Sequence, residues 1–495
     1  MSSTTTPVST DTDTDTAAYI ATDAGNDSGT ERLDAFLREN YDTILEQLSA
    51  WVRIPSIAAQ PEHAVDVARS AHWLAGALRE LGVSMELIET GDAVAVFGEL
   101  KAASADAPTV LIYSHHDVRH AKPEEWVETS PFEPVLRDGR LYGRGASDAK
   151  GQIMAHLWGL RAHQLATGSE APAVNLKFLI EGEEEMGSPH FEELLAEQPD
   201  RFACDVIVFS DTLQWKEGQP ALVTSMRGMV SATLSISGPK RDVHSGAVSG
   251  LSPNPIHVLV DVLSRLHEED GRIALPGFYD DVEEITEERA EELAALTFDD
   301  ETWIERTETR SISGEEGYTS TERLWARPSL EVLSVLAGDP EGIPRAVIPS
   351  QAKAEFNIRT VPGQRVAAVA EQIRAYFAEA MPDGVDYTLE VAEESGQEPY
   401  VTPDGEELQA LERAATRSHG GPVSGRMGNA GGGPAELLGR VLEAPVIFVG
   451  TGLPEDHWHA SDESIEVDML LRSAVTIAHL WSELGELPPA EDGAR

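Results

Sequence analysis

Residues 109–117 read TVLIYSHHD. An apolar, β-branched run of this length that stops on histidine and aspartate reads as a buried strand delivering polar side chains at its end. Two other stretches repeat the pattern: VNLKFLIEGEEEMGS at 174–188 and DVIVFSD at 205–211. A rigid sheet can aim the side chains at its strand ends into one cleft. GRGASDAKG at 143–151, a Gly-rich turn whose backbone can approach closely, and EDHWHASDE at 455–463 add an acid and a histidine. His115, Asp148, Glu185, Asp211 and His459 are therefore candidate metal ligands. Two imidazoles and three carboxylates suit zinc, with manganese or cobalt as alternatives, and no thiolate is needed.

Outward from these stretches, strand-like and helix-like runs alternate. LDAFLRENYDTILEQLSAWV (33–52) and AVDVARSAHWLAGALRELG (64–82) have helical periodicity. AVAVFGEL (93–100) reads as a strand, GQIMAHLWGLRAHQLA (151–166) as a helix and PHFEELLAEQ (189–198) as a short helix. Alternation of this kind predicts an α/β layered domain with its ligands facing a common crevice. Past Pro220 the pattern changes to VSATLSISGP, a helix from Asn254, an acidic irregular stretch to about Arg327, SLEVLSVLAG, AKAEFNIRTV, a helix over 367–380 and VDYTLEVAEE. That β-α-β-β-α-β order predicts an inserted ferredoxin-like α+β domain. PVIFVGTG (445–452) then returns the chain to the first domain. The expected organisation is a Thr/Asp/Ser-rich disordered tail at 1–29, a catalytic domain from 30–225 and 401–489, and a lid from 226–400.

Composition narrows the function classes. At 495 residues the chain exceeds one hydrophobic core. Its 86 Asp+Glu against 37 Lys+Arg, a net charge of −49, repel nucleic acid and anionic membrane. The acids run along the whole chain, which suits a protein kept hydrated in high salt; an acidic coding background is the competing explanation. Cys204 is the one cysteine, so no intramolecular disulfide forms, and no apolar run approaches a membrane span. A cytoplasmic protein is expected.

His115 and Asp117 lie two apart at a strand end and point to one face, so Asp117 can orient a ligating His115. A lone His-x-Asp fits a structural pair equally well. Asp148 can bridge two cations with its two oxygens. Glu184 and Glu185 are consecutive and diverge, so one can bind metal while the other stays free to take a proton, as a metallohydrolase requires.

Together these stretches resemble the dizinc peptidase and amidohydrolase superfamily of carnosinase, cytosolic nonspecific dipeptidase, carboxypeptidase G, aminoacylase and succinyl-diaminopimelate desuccinylase. The likeness runs over nearly the whole chain after the tail. GPKRDVHSGAVSG (238–250), LPGFYDDVEEITEE (275–288) and RLWARPSLEVLSV (323–335) resemble the carnosinase-like dipeptidase branch. The resemblance implies a central mixed sheet with a lid that also dimerises, and two metal ions. One would be held by His115, Asp148 and Asp211, the other by Asp148, Glu185 and His459, with Glu184 as general base. It also implies a cis peptide between Asp148 and Ala149, a homodimer in which His244 reaches the partner subunit's site, and Arg359 as the binder of the substrate carboxylate. The sequence departs from the family at Ser114 and His116, which replace Gly and Tyr, and at Ala346, which replaces a threonine. RMGNAGGGPAE (426–436) stands for the substrate loop Gly-Gly-Ser-Ile-Pro, with Gly432 its candidate contact, and lacks the serine. The expected activity is hydrolysis of dipeptides or similar small peptides. An N-acyl-amino-acid deacylase or carboxypeptidase of the same superfamily is the alternative, and a scaffold protein without activity the rival of another class.

Overall fold

The computed structural model describes residues 27–488 except 59, 92, 297, 298, 340, 341 and 344. The tail expected at 1–29 falls, up to residue 26, outside the described residues, and the first helix runs Asp27–Glu39, starting ahead of the predicted Leu33.

A six-stranded mixed sheet organises the catalytic part, in the order Ser84–Thr90, Ala93–Leu100, Asn175–Glu181, Thr109–His115, Val206–Phe209, Val446–Phe448. Ser84–Thr90 and Ala93–Leu100 are antiparallel to their neighbours, while the remaining four strands are parallel. Parallel strands are covered on both faces, which explains their continuous apolar sequence. Alternate residues separate cleanly. Val110, Ile112, Phe178, Val208 and Ile447 enter one core with the long helices, whereas Leu111, Tyr113, Leu179, Ile207 and Phe448 enter another on the opposite face.

Thr109–His115 lies mid-sheet, flanked by Asn175–Glu181 on one side and Val206–Phe209 on the other. The chain passes from it to Asn175–Glu181 on one side and from there to Val206–Phe209 on the other, a change of direction that opens a crevice at its carboxyl end. The first crossover helix, Lys150–Thr167, is buried along most of its length and packs against the last helix, Val467–Gly485. It ends at Gly168, whose left-handed φ of 66° lets its N–H bond Gln164 O. Its other end places Asp148 at the mouth of the crevice.

The inserted domain has an antiparallel four-stranded sheet, ordered Ser329–Ala337, Gln351–Thr360, Gly228–Ser237, Tyr387–Val391. Helices Pro255–Leu263 and Val366–Ala380 cover one face around Leu234, Leu259, Phe356 and Phe377. This is the ferredoxin-like arrangement expected from the order of elements.

The acidic stretch read as irregular contains three helices: Glu287–Ala295, Asp300–Arg306 and Ser320–Trp325. Thr286, Asp299 and Thr319 cap them, the last with Glu322 in a capping box. Their apolar residues leave the lid: Leu293, Leu296 and Trp325 are buried with Phe209 and Met427 in the catalytic core.

Candidate metal centre

The five residues singled out from sequence converge, although they come from separate loops. His115 closes its strand. Asp148 precedes the crossover helix, Glu185 lies in the turn Glu184–Met186 after the neighbouring strand, and Asp211 follows Val206–Phe209. His459 comes from a loop in which His457, His459 and Asp462 all have left-handed φ angles of 57°, 62° and 57°. The Asp148–Ala149 peptide is cis, as the resemblance implied.

The ligand atoms form two groups that share Asp148. In one, His115, Asp148 and Asp211 each offer an atom within 4.8 Å of the others; in the second, Asp148, Glu185 and His459 do so. His115 Nε2 is 3.1 Å from Asp148 Oδ1 and 3.7 Å from Asp211 Oδ1. His459 Nε2 is 3.0 Å from Asp148 Oδ2 and 3.3 Å from Glu185 Oε2. Asp148 Oδ2 and Asp211 Oδ1 are buried yet receive no hydrogen bond, and Glu185 Oε2 is met only by the Arg119 guanidinium. Buried carboxylate oxygens without donors, facing imidazole nitrogens across such distances, fit divalent cations.

The electrostatics agree. Burial raises the carboxyls of Glu185 and Asp211, with Asp148 adding to both. Burial also raises Glu184, to about 8, His115 opposing and Asp211, Asp117 and Asp148 reinforcing. Asp148 alone is held well below the ordinary range, because contacts with His115 and His459 outweigh its burial. Three acids crowded in low dielectric disfavour one another's charge, and cations would relieve that conflict.

Asp117 does more than the expected orientation of His115. Its Oδ1 lies 3.4 Å from His115 Nδ1, and its carboxylate accepts the backbone N–H of Glu184 at 3.3 Å and of Glu185 at 3.0 Å. Asp117 therefore joins His115, whose Nδ1 is 3.1 Å from the Asp117 backbone O, to the acidic turn after the next strand, which its carboxylate holds. The two departures beside His115 serve packing. The Ser114 hydroxyl donates to Ser210 O at 2.7 Å, next to Asp211, and the buried His116 ring bonds Val94 O at 2.8 Å. Arg119 was not anticipated; its Nε lies 2.7 Å from Glu185 Oε2.

Arg359 is in the lid strand Gln351–Thr360, where burial lowers its pKa and the charge of Glu184 opposes that. Gly432 lies beside it: a Cβ there would sit 3.2 Å from Arg359 Nη1 and collide with Gln397 Oε1 at 2.1 Å. A larger residue there would have to push the end of the Gln397 side chain aside. Arg227, missed in the sequence, is buried at the crossing into the lid, where its Nε donates to Ala430 O at 3.1 Å and ties the glycine loop to the lid. His244, in the two-residue strand Val243–His244, is exposed and belongs to neither ligand group.

The sequence profile of Peptidase family M20/M25/M40 matches residues 111–483. The chain is 29% identical over 471 residues to cysteinylglycine-S-conjugate dipeptidase of Corynebacterium striatum, covering 93% of this chain and 100% of that one. It is 27% identical over 473 residues to human Beta-Ala-His dipeptidase, covering 92% and 93%. The crystal structure of human carnosine dipeptidase 1 superposes with a TM-score of 0.84 at 27% identity, over 92% of this chain and 99% of that one. With its fold, its paired ligand groups and this profile in agreement, the chain belongs to Peptidase family M20/M25/M40.

Proposed function

We propose that the protein is a metal-dependent dipeptidase that hydrolyses the amide bond of dipeptides or similarly small peptides. The observation that carries this reading is the pair of ligand groups sharing Asp148, with the carboxyl of Glu184 beside them in neither group. His115, Asp148 and Asp211 would hold one ion, and Asp148, Glu185 and His459 the other. Zinc is the proposed metal, manganese or cobalt the alternatives, since the donors are nitrogen and oxygen only. When bound, such ions polarise a scissile carbonyl and lower the pKa of water from about 15.7 to about 7.

Glu184 takes the proton from the attacking water and passes it to the leaving amine nitrogen. Its freedom from the ligand groups and its fixed backbone, tied to Asp117, suit that shuttle. Arg359 receives the substrate carboxylate with its guanidinium fork, and Gly432 leaves room for substrate beside it. Gly431, Gly432 and Gly433 offer no side-chain contact, so backbone N–H groups and Arg359 carry the recognition there.

His244 donates to the tetrahedral oxyanion of the partner subunit's site. Two features support the homodimer. His244 is exposed away from its own ligand groups, and the outer edge of the lid sheet is apolar: Val332, Leu333, Val335 and Leu336 on Ser329–Ala337 are exposed. A bare apolar edge strand needs a partner. In this reading 30–225 and 401–489 form the catalytic unit and 226–400 the lid, and the location is cytoplasmic; among the described residues no helix is long and apolar enough to cross a membrane.

A substrate panel tests the assignment. Metal-loaded enzyme should cleave unblocked dipeptides in preference to N-acetyl or N-succinyl amino acids. Faster turnover of the acylated amino acids would replace it with the deacylase reading.

A further inference from the structure

The loop carrying His459 and the turn carrying Asp148 are joined by a buried carboxylate that belongs to neither ligand group. Glu463 is completely buried, and its Oε1 accepts the backbone N–H of Gly145 at 3.0 Å, of Ser147 at 3.0 Å and of Asp148 at 3.1 Å. Its Oε2 takes Arg144 Nη1 at 2.6 Å, and Arg144 Nη2 turns back to Ala460 O at 2.9 Å. Arg144 is itself buried, so the pair is closed from water. A second carboxylate repeats the link: Asp456 Oδ2 accepts the Ser147 hydroxyl at 2.6 Å and Leu453 N at 2.9 Å, while Trp458 Nε1 donates to Ser147 Oγ at 2.8 Å. Backbone pairing between Ser464–Glu466 and Arg140–Tyr142 aligns the two segments just beyond.

The loop needs these anchors. Three non-glycine residues in it, His457, His459 and Asp462, hold left-handed backbone, which side chains disfavour and a loop left to itself abandons. His459 is half exposed, and its ring is held by Asp148 and Glu185.

We propose that Glu463, with Arg144, is a positioning residue that locks the His459 loop to the Asp148 turn, so that the two ligand groups assemble as one unit. The Asp148 N–H rests on Glu463, hence the shared ligand is set by the same carboxylate that holds the base of the His459 loop. The proposal rests on the metal reading given above, and it predicts that an acid in contact with neither ion controls the affinity for both.

The test is chelator competition with zinc on wild type, Glu463→Ala and Glu463→Gln, each checked for native circular dichroism, with kcat and KM measured over a range of free zinc. Wild type should bind two ions. Glu463→Ala should lose about 10- to 100-fold in affinity at both, the range for partners that orient ligands. Glu463→Gln keeps an amide oxygen for the three N–H groups and should lose less. Raising free zinc should restore kcat in Glu463→Ala with KM unchanged. If Glu463→Ala does not fold, Ser147→Ala, which removes only the Asp456 and Trp458 links, should weaken both ions in the same direction. Wild type binding two ions while folded variants bind them equally tightly, or lose only one, overturns the proposal. Wild type binding no zinc overturns the metal reading beneath it.

Discussion

Replacing Leu333 and Leu336 with glutamate should take the proposed dimer apart. Both lie on the outer lid strand, 63% and 58% exposed in the single chain, and Leu333 is turned outward at the irregularity between Val332 and Ser334. Burying a whole leucine side chain is worth ~1.5–3 kcal/mol, so covering roughly 0.6 of one is worth ~1–2 kcal/mol. A two-fold interface uses the patch twice, which makes four leucines and ~4–7 kcal/mol. At about 1.4 kcal/mol per decade the double variant should dimerise about 10³- to 10⁵-fold more weakly, before charge repulsion is added. Sedimentation equilibrium measures this directly. Activity supplies the second readout, because a site completed by His244 of the partner subunit must lose specific activity on dilution. Mixing Glu184→Gln with His244→Ala chains should then regain up to about a quarter of wild-type activity, since random pairing makes half the dimers mixed, each with one complete site. A wild type that stays monomeric at all concentrations with undiminished activity, or a mixture that stays inactive while dimeric, refutes the reasoning.

Other perturbations separate the roles within the site. Glu184→Gln should lower kcat by about 10²- to 10⁴-fold with both ions retained; near wild-type turnover at full metal occupancy removes Glu184 as the base. Metal analysis should find one ion in Asp211→Asn and one in His459→Asn, but neither ion bound tightly in Asp148→Asn, and equal loss in all three contradicts a shared ligand. His156 is buried against Ser210 Oγ at 2.6 Å and burial pushes its pKa down to about 3. The unfolded imidazole, near 6.5, protonates first, so stability falls as pH drops from about 6.5 toward 3, at up to ~1.4 kcal/mol per unit. Chemical denaturation at several pH values should give His156→Gln a shallower slope, and an unchanged slope discards this account. With a net charge of −49, molar salt should raise the melting temperature and activity through screening; full activity in dilute buffer removes the high-salt reading.

The candidate ligands were legible because two signals coincide at each: a residue type able to hold a cation, and a buried strand or Gly-rich turn that fixes where it points. His115 and Asp211 end strands whose apolar residues alternate between two cores, so burial on both faces made the runs conspicuous. The helices between Glu287 and Trp325 were less so, since their apolar residues are sparse among acids and pack on a distant part of the chain; the capping residues Thr286, Asp299 and Thr319 were the available signal. Harder still was telling a ligand from an anchor. EDHWHASDE holds Asp456, Asp462 and Glu463 around His459, and nothing in their order separates them from Glu185 or Asp211. The difference lies in what reaches their oxygens. Both oxygens of Glu463 are met by N–H groups, three from the backbone and one from Arg144, whereas Asp148 and Asp211 each keep a buried oxygen without a donor, and Asp148, Glu185 and Asp211 each face the imidazole of His115 or His459. Glu181 marks the limit of that criterion. Its Oε2 is also without a donor, but Tyr113 and Ser188 bond its other oxygen, it belongs to neither ligand group among the described residues, and burial raises its pKa well above the ordinary range. A proton neutralises that carboxyl where a cation would neutralise the others. Donor supply and a neighbouring histidine, both products of contacts between residues far apart in sequence, separate the acids suited to a cation from those that anchor the loops.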